Sequence, residues 1–378
     1  MTPRRRVLSA LTVASVALSG LAVATHAPLD WAFEVAPVPV SDAEPMFETV
    51  FDYTSQAGAA HAPAVRNFDD GFSLIWFDGT RESHEDVVIK ESRFSKGADG
   101  WTHTDPLPLL SKEEMSAVSE PRQAILSLGN TIAQHSDPNT LFATVVSAGG
   151  WAAASIARVT VDGDTVTGTK KLSLSPFLNR SHLVRSPTLS YADGSVAIPA
   201  YFEMGNSFGE LVRLDAEGHV RDKRRMTQGR FGIQPVIVPF DAQNAVALLR
   251  NFDKATDRLV GTWTNDGGRS WSKAELLDLP NPNSPVAALR LSDGRILMAF
   301  NDSPTNTTIL KLALSSDQGR SWTRIHTLEQ DNGSARYQMM THLPDGTILL
   351  VYSIANKTAI RAHVFNESWV RAREEAVQ

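Results

Sequence analysis

Short apolar runs opened by Asp-Gly turns recur along this chain. Phe72 to Phe77 follows Asp70-Gly71, Ser195 to Tyr201 follows Asp193-Gly194, Arg295 to Phe300 follows Asp293-Gly294, and Thr347 to Tyr352 follows Asp345-Gly346. Runs of this length, alternating or continuous and punctuated by a turn pair, are the pattern of half-buried or fully buried strands. Weaker versions stand at Gly129-Asn130 before Thr131 to Ala133 and at Gln243-Asn244 before Ala245 to Leu249. The turns fall near residues 71, 130, 194, 244, 294 and 346, which divides the chain into six consecutive units. A repeat of about fifty to sixty residues predicts a propeller in which each unit is a small antiparallel sheet, one blade.

A second repeat supports that reading. Thr264-Asn265-Asp266-Gly267-Gly268-Arg269-Ser270-Trp271 returns as Ser315-Ser316-Asp317-Gln318-Gly319-Arg320-Ser321-Trp322, two copies of S/T-x-D-x-G-x-S-W. In such a loop, known as an Asp-box, the carboxylate accepts N–H groups of its own turn, the Gly supplies a positive φ, and the Trp folds back onto the blade. The motif staples a hairpin and carries no chemistry of its own.

Composition narrows the alternatives. The 378 residues are 42% hydrophobic and 21% charged, with 24 Gly and 20 Pro, as expected for one large, turn-rich domain. A formal net charge of -6 offers no basic surface to nucleic acid, and the run Arg221, Lys223, Arg224, Arg225, interrupted by Asp222, reads as a solvated loop. Arg4-Arg5-Arg6 ahead of the apolar stretch Val7 to Ala24 predicts an export signal over residues 1–24, or a membrane anchor if it stays uncleaved. Residues 25–45, with Pro28, Pro37, Pro39 and Pro45, read as a linker, and residues 46–370 as the propeller. The absence of cysteine is compatible with export, because a core of this size needs no disulfides. A periplasmic or extracellular monomer is expected.

Between about His61 and about Phe365 the chain resembles the sialidase (neuraminidase) superfamily, in its bacterial branch with BNR or Asp-box repeats. The resemblance rests on His61-Ala62-Pro63, Trp76-Phe77-Asp78-Gly79-Thr80-Arg81-Glu82, Asp86-Val87-Val88-Ile89, Gln234-Pro235 and Leu279-Pro280-Asn281-Pro282-Asn283-Ser284. It implies an all-β fold, a six-bladed β-propeller of the sialidase type. It also implies a tyrosine nucleophile assisted by a glutamate, an aspartate acid/base, and three arginines that grip a substrate carboxylate.

Tyr337 stands where the nucleophile belongs; a neutral phenol attacks an oxocarbenium-like centre beside a carboxylate without anionic repulsion. Asp86 matches the acid/base, and Glu82 in the same loop is its local competitor. Arg250 matches a substrate-binding arginine, its planar fork suited to a carboxylate. The pattern fails elsewhere. His61 occupies the place of the first arginine, Thr305-Asn306-Thr307-Thr308 lacks the third, and Gln234 replaces the glutamate. Glu203, Arg336 and Arg361 are candidates to compensate, and Asn283 joins the substrate-binding set through its motif.

Other chemistries fit less well. Gly205-Asn206-Ser207-Phe208-Gly209 matches the serine-hydrolase G-x-S-x-G, but Glu210 to Leu214 alternates like a strand where that elbow requires a helix. The ten histidines show no H-E-x-x-H pair and cysteine is absent, so neither a metal nor a cofactor is expected. Three functions remain. One is an exported retaining exo-glycosidase acting on a terminal anionic sugar of a glycoconjugate or polysaccharide; another is a catalytically inactive glycan- or protein-binding propeller of the cell envelope. The third is a structural cell-envelope propeller acting through its rim loops, which predicts neither turnover nor glycan binding.

Overall fold

A computed structural model describes residues 3–25, 28–39, 43–98, 100–175, 179–227, 232–253 and 255–377. The amino-terminal helix Pro3–Thr25 belongs to a unit of its own, separate from the unit that begins at Trp31. Among the described residues, no helix is long and apolar enough to cross a membrane.

From residue 43 onward the chain builds six antiparallel sheets, the blades of a propeller. The first blade has Ala59–Phe68 as its innermost strand, followed outward by Gly71–Gly79, Val88–Gly97 and Gly100–His103. The innermost strands of the next five are Ser127–Gln134, His182–Val184 extended by Leu189–Ser190, Ile233–Pro239, Ala287–Arg290 and Arg336–His342. The sixth blade borrows its outermost strand from the other end of the domain: Phe47–Thr54 pairs with Ala359–Phe365, Phe47 opposite Phe365 and Thr54 opposite Ala359. That pairing closes the ring.

Second strands lie between two neighbours in their sheet and under both adjacent blades, so they are apolar without alternation. All seven residues of Ile348–Ile354 and all six of Ile296–Asn301 are buried. The Asp-boxes staple the fourth and fifth blades. Asp266 accepts the Ser270 amide at 2.8 Å and the Ser270 and Thr264 hydroxyls at 2.5 and 2.8 Å; Asp317 repeats the set with Ser321 and Ser315. Burial raises the Asp266 carboxyl, but these bonds outweigh it and hold the group below the usual carboxylate range. At Gly267, with φ 71°, a Cβ would lie 1.6 Å from the Trp31 carbonyl, so only glycine fits.

Three expectations change. The hairpin of the second blade turns at His135-Ser136, between Ser127–Gln134 and Asp137–Val146; Gly129-Asn130 instead lies at a bulge inside the inner strand. The basic run is no loop: Val220–Arg225 is the outermost strand of the third blade. Part of the expected linker packs. Phe33 is buried against Tyr191 and donates its amide to the Ala242 carbonyl, because Trp31 and Phe33 alternate as apolar anchors between the prolines.

Candidate active site

The site is built on a repeated irregularity of the inner strands. Ala62, Gln234 and Tyr337 occupy bulges, each with φ between 51° and 57°, and Ser181 and Asn283 adopt the same left-handed conformation just before their strands. Such a conformation costs about 1 kcal/mol at a non-glycine residue, and bulges re-aim side chains next to functional sites. Here they bring residues from the first, fourth, fifth and sixth blades together.

Arg250, the last residue of Ala245–Arg250, is the centre of that convergence. It donates Nε to Asn283 Oδ1 at 2.7 Å and Nη1 to Gln234 Oε1 at 2.9 Å, with the same Nη1 3.5 Å from the Tyr337 hydroxyl. Arg336 Nη2 donates to the Asn283 carbonyl at 2.7 Å, and its guanidinium sits 5.9 Å from the Tyr337 ring. Burial, then the charge of Arg250, push the Arg336 guanidinium below its ordinary range. Neither arginine forms an ion pair among the described residues. Two guanidinium groups held close together without an acid are set up for an anion.

His61 lies on the other side of the phenol, ring centroids 4.1 Å apart. Its Nδ1 meets Ser353 Oγ at 3.0 Å, while Nε2 is buried without a partner. Burial, then the charges of Lys357, Arg185, Arg336 and Arg250, hold it well below the ordinary imidazole range, so it is neutral near pH 7. Gln234 donates Nε2 to the Tyr201 hydroxyl at 3.0 Å. Burial, then Tyr337 and Glu203, raise the Tyr201 phenol, so it stays neutral. Half-buried Glu203 is felt electrostatically by Tyr201.

One position inward from the bulges the axis is filled by Arg185, which the sequence reading missed. The guanidinium donates to the Gln338 carbonyl at 2.9 Å and the Pro63 carbonyl at 3.3 Å, tying the third blade to the sixth and first, and lies 5.2 Å from the Tyr337 ring. It has no carboxylate partner among the described residues, and burial lowers it to about 10, against the pull of Tyr337 and Tyr201. The available signal was a cation ending the apolar run His182-Leu183-Val184. Deeper still, a cavity of about 20 Å³ is bordered by Val65, Ile132, Pro187 and Met339.

The acids stand apart from this cluster. Asp86 accepts the Thr80 amide at 3.0 Å, the Thr80 hydroxyl at 3.2 Å and His84 Nδ1 at 2.7 Å, all within its own loop. Partial desolvation raises its carboxyl, but the His84 and Thr80 bonds outweigh it and keep the group below the usual carboxylate range. Glu82 reaches Lys357 of the sixth blade at 2.7 Å and is felt electrostatically by Arg336. Neither acid contacts Tyr337 among the described residues. Arg361 is engaged elsewhere, with Asp52 and buried Glu329. Ser207 precedes a strand and is fully buried with its hydroxyl unpartnered, which excludes a serine-hydrolase elbow. A metal-like trio of Asp215, Glu217 and His219 occupies a turn of the third blade, without contact to Tyr337 or Arg250 among the described residues.

The fold is that of a six-bladed propeller of the sialidase type. Residues 70–360 match the BNR repeat-like domain, and the chain belongs to that family. Among solved structures it is similar to the Hadza microbial sialidase Hz136, at 14% identity and a TM-score of 0.63 over 82% of this chain and 68% of that one. It is similar also to a Dyadobacter fermentans protein of unknown function, at 14% identity and a TM-score of 0.62 over 85% and 99% of the two chains. A third, the Trypanosoma rangeli sialidase solved as a covalent intermediate with 2,3-difluorosialic acid, has 12% identity and a TM-score of 0.61, over 84% of this chain and 56% of that one. No curated protein matches. At these identities the likeness establishes the fold.

Proposed function

We propose that the chain is an exported, sialidase-like retaining exo-glycosidase that removes a terminal anionic sugar at the hub of the propeller. The observation that carries this reading is Arg250, which touches Gln234, Asn283 and the Tyr337 hydroxyl while Arg336 stands beside it without an acidic partner. The paired guanidinium groups hold the sugar's carboxylate. The Tyr337 oxygen attacks the anomeric carbon as the glycosidic C–O bond breaks, and the leaving oxygen takes a proton that Asp86, ionised at rest, first picks up from solvent, with Glu82 the competitor for that role. Gln234 cannot accept the phenolic proton; neutral His61, with its unpartnered Nε2, accepts it. Water then cleaves the glycosyl–tyrosine bond, giving one proton to the loop carboxylate while His61 returns its own to the phenolate. Export rests on the arginine-led apolar leader, and N-terminal sequencing of the mature chain from the medium or periplasm tests it.

A second reading is favoured by two particular features: Gln234 where a base belongs, and an Asp86 already committed to His84 and Thr80. These suit a propeller that binds an acidic glycan without cleaving it. Turnover on a panel of aryl glycosides, run alongside calorimetry with acidic oligosaccharides, separates the two. The glycosidase reading predicts released aglycone that Tyr337→Phe abolishes while the variant still folds. An active Phe variant defeats the mechanism, and binding without release favours the second reading.

A further inference from the structure

We propose that the third blade carries a second ligand site, lined by none of the hub residues, for a small sugar bearing a carboxylate or sulfate. It sits where the basic run lies. Val220–Arg225 pairs with Phe208–Leu214, Arg225 opposite Glu210 and Lys223 opposite Val212. Strand alternation therefore places Lys223 and Arg225 on the same face as Phe208 and Glu210, while Asp222 and Arg224 pair with each other on the opposite face. The first face borders a cavity of about 460 Å³, which is of ligand size.

Its floor is a fixed imidazole–carboxylate pair: His182 Nδ1 meets Glu210 Oε1 at 2.6 Å, the two residues 5% and 4% exposed. His182 Nε2 has no hydrogen-bond partner among the described residues, and the ring lines the cavity. The wall is a stack. His182 adjoins Phe202 with ring centroids 5.4 Å apart, Phe202 stacks on Phe208 at 5.0 Å, and the Arg225 guanidinium carbon lies over Phe208, 3.7 Å from its centroid. A guanidinium held over a ring by its carbon leaves N–H groups available to an anion, and Arg225 has no ion pair among the described residues. Arg180 and Lys223 complete the rim. Arg180, Lys223 and Arg225 outnumber Glu210, the one carboxylate of the lining, and the ligand must bring the anion.

Calorimetry at low salt tests this with glucuronate, glucose 6-sulfate and neutral glucose as probes. The native chain is expected to take up the acidic probes at two sites, of which Arg250→Ala removes the hub site only. Arg225→Ala, an exposed position that does not endanger folding, is expected to weaken the second site at least about tenfold, with Arg225→Lys in between. The Arg250→Ala background keeps the outcome independent of the hub reading. A single uptake event lost in Arg250→Ala, an Arg225→Ala chain that titrates like the native one, or glucose binding as tightly as glucuronate would overturn the proposal.

Discussion

His363 ties the borrowed strand to the sixth blade, and acid should weaken that tie. His363 lies on Ala359–Phe365, where Nδ1 meets Thr49 Oγ1 of the borrowed strand at 3.0 Å and Nε2 meets the Tyr352 hydroxyl at 2.8 Å. Burial, then the charge of Arg361, lower its pKa to about 4, despite Glu329 and Asp52 pulling the other way; His326 adds a further downward push. Against an unfolded value of about 6.5, the depression of roughly 2.5 units corresponds to about 3 kcal/mol. The sign follows from proton counting. Between pH 6.5 and 4 the unfolded chain binds the proton that the folded chain refuses, so stability is lost as pH falls through that window. His363→Asn removes the titration and breaks both bonds, and should cost about 1–3 kcal/mol at pH 7. Urea unfolding at pH 7 and pH 4.5 checks it: the variant should lose less stability between the two than the native chain, narrowing or reversing the gap. His61, His135, His326 and His342, also lowered, remain in both proteins and largely cancel from the difference. Parallel losses in the two proteins would refute the reasoning.

Arg185→Met leaves two axial carbonyls without their donor and should destabilise the fold by about 1–3 kcal/mol; urea unfolding should find this penalty unchanged between pH 5 and 8, because Arg185 stays charged throughout. Asp266→Ala removes three hydrogen bonds of one Asp-box and should cost about 1–3 kcal/mol by the same assay. The native advantage should begin to shrink as pH falls through the ordinary aspartate value of about 4 and be lost only at lower pH, where the folded carboxylate, held below that value, takes up its proton. Gln234→Glu places a carboxylate beside Arg250 to take over from His61, whose burial and cationic neighbours oppose protonation, and should raise kcat by about tenfold or more on any aryl glycoside that the native chain cleaves; an unchanged kcat would mean that His61 already suffices as the base.

The sequence exposed the blades wherever a turn carried its own chemistry. Asp193-Gly194, Asp293-Gly294 and Asp345-Gly346 each announce a hairpin because a left-handed Gly follows an Asp that caps the turn, as Asp345 caps Thr347. His135-Ser136 has no such signature, so the second hairpin was displaced to a bulge. Lys223 and Arg225 looked like part of a solvated run because the alternation that separates them from Asp222 and Arg224 becomes visible only when the strand is paired with Phe208–Leu214. At the hub, Tyr337, Arg250, Gln234, His61 and Asn283 were reachable through motif positions. Arg185 was not, since nothing local distinguishes a cation that crosses the axis from one at a strand end. Arg336 could be suspected only as a neighbour of Tyr337.

The central claim is that the bulged inner strands gather Arg250, Arg336 and Tyr337 into one site for an anionic sugar. A crystal structure of the chain with a bound acidic monosaccharide tests it most directly. The account predicts the carboxylate within hydrogen-bond reach of both guanidinium groups, about 2.7–3.0 Å, and the anomeric carbon facing the Tyr337 hydroxyl. A sugar seated elsewhere while the hub stays empty, or a carboxylate turned away from Arg250, would contradict it.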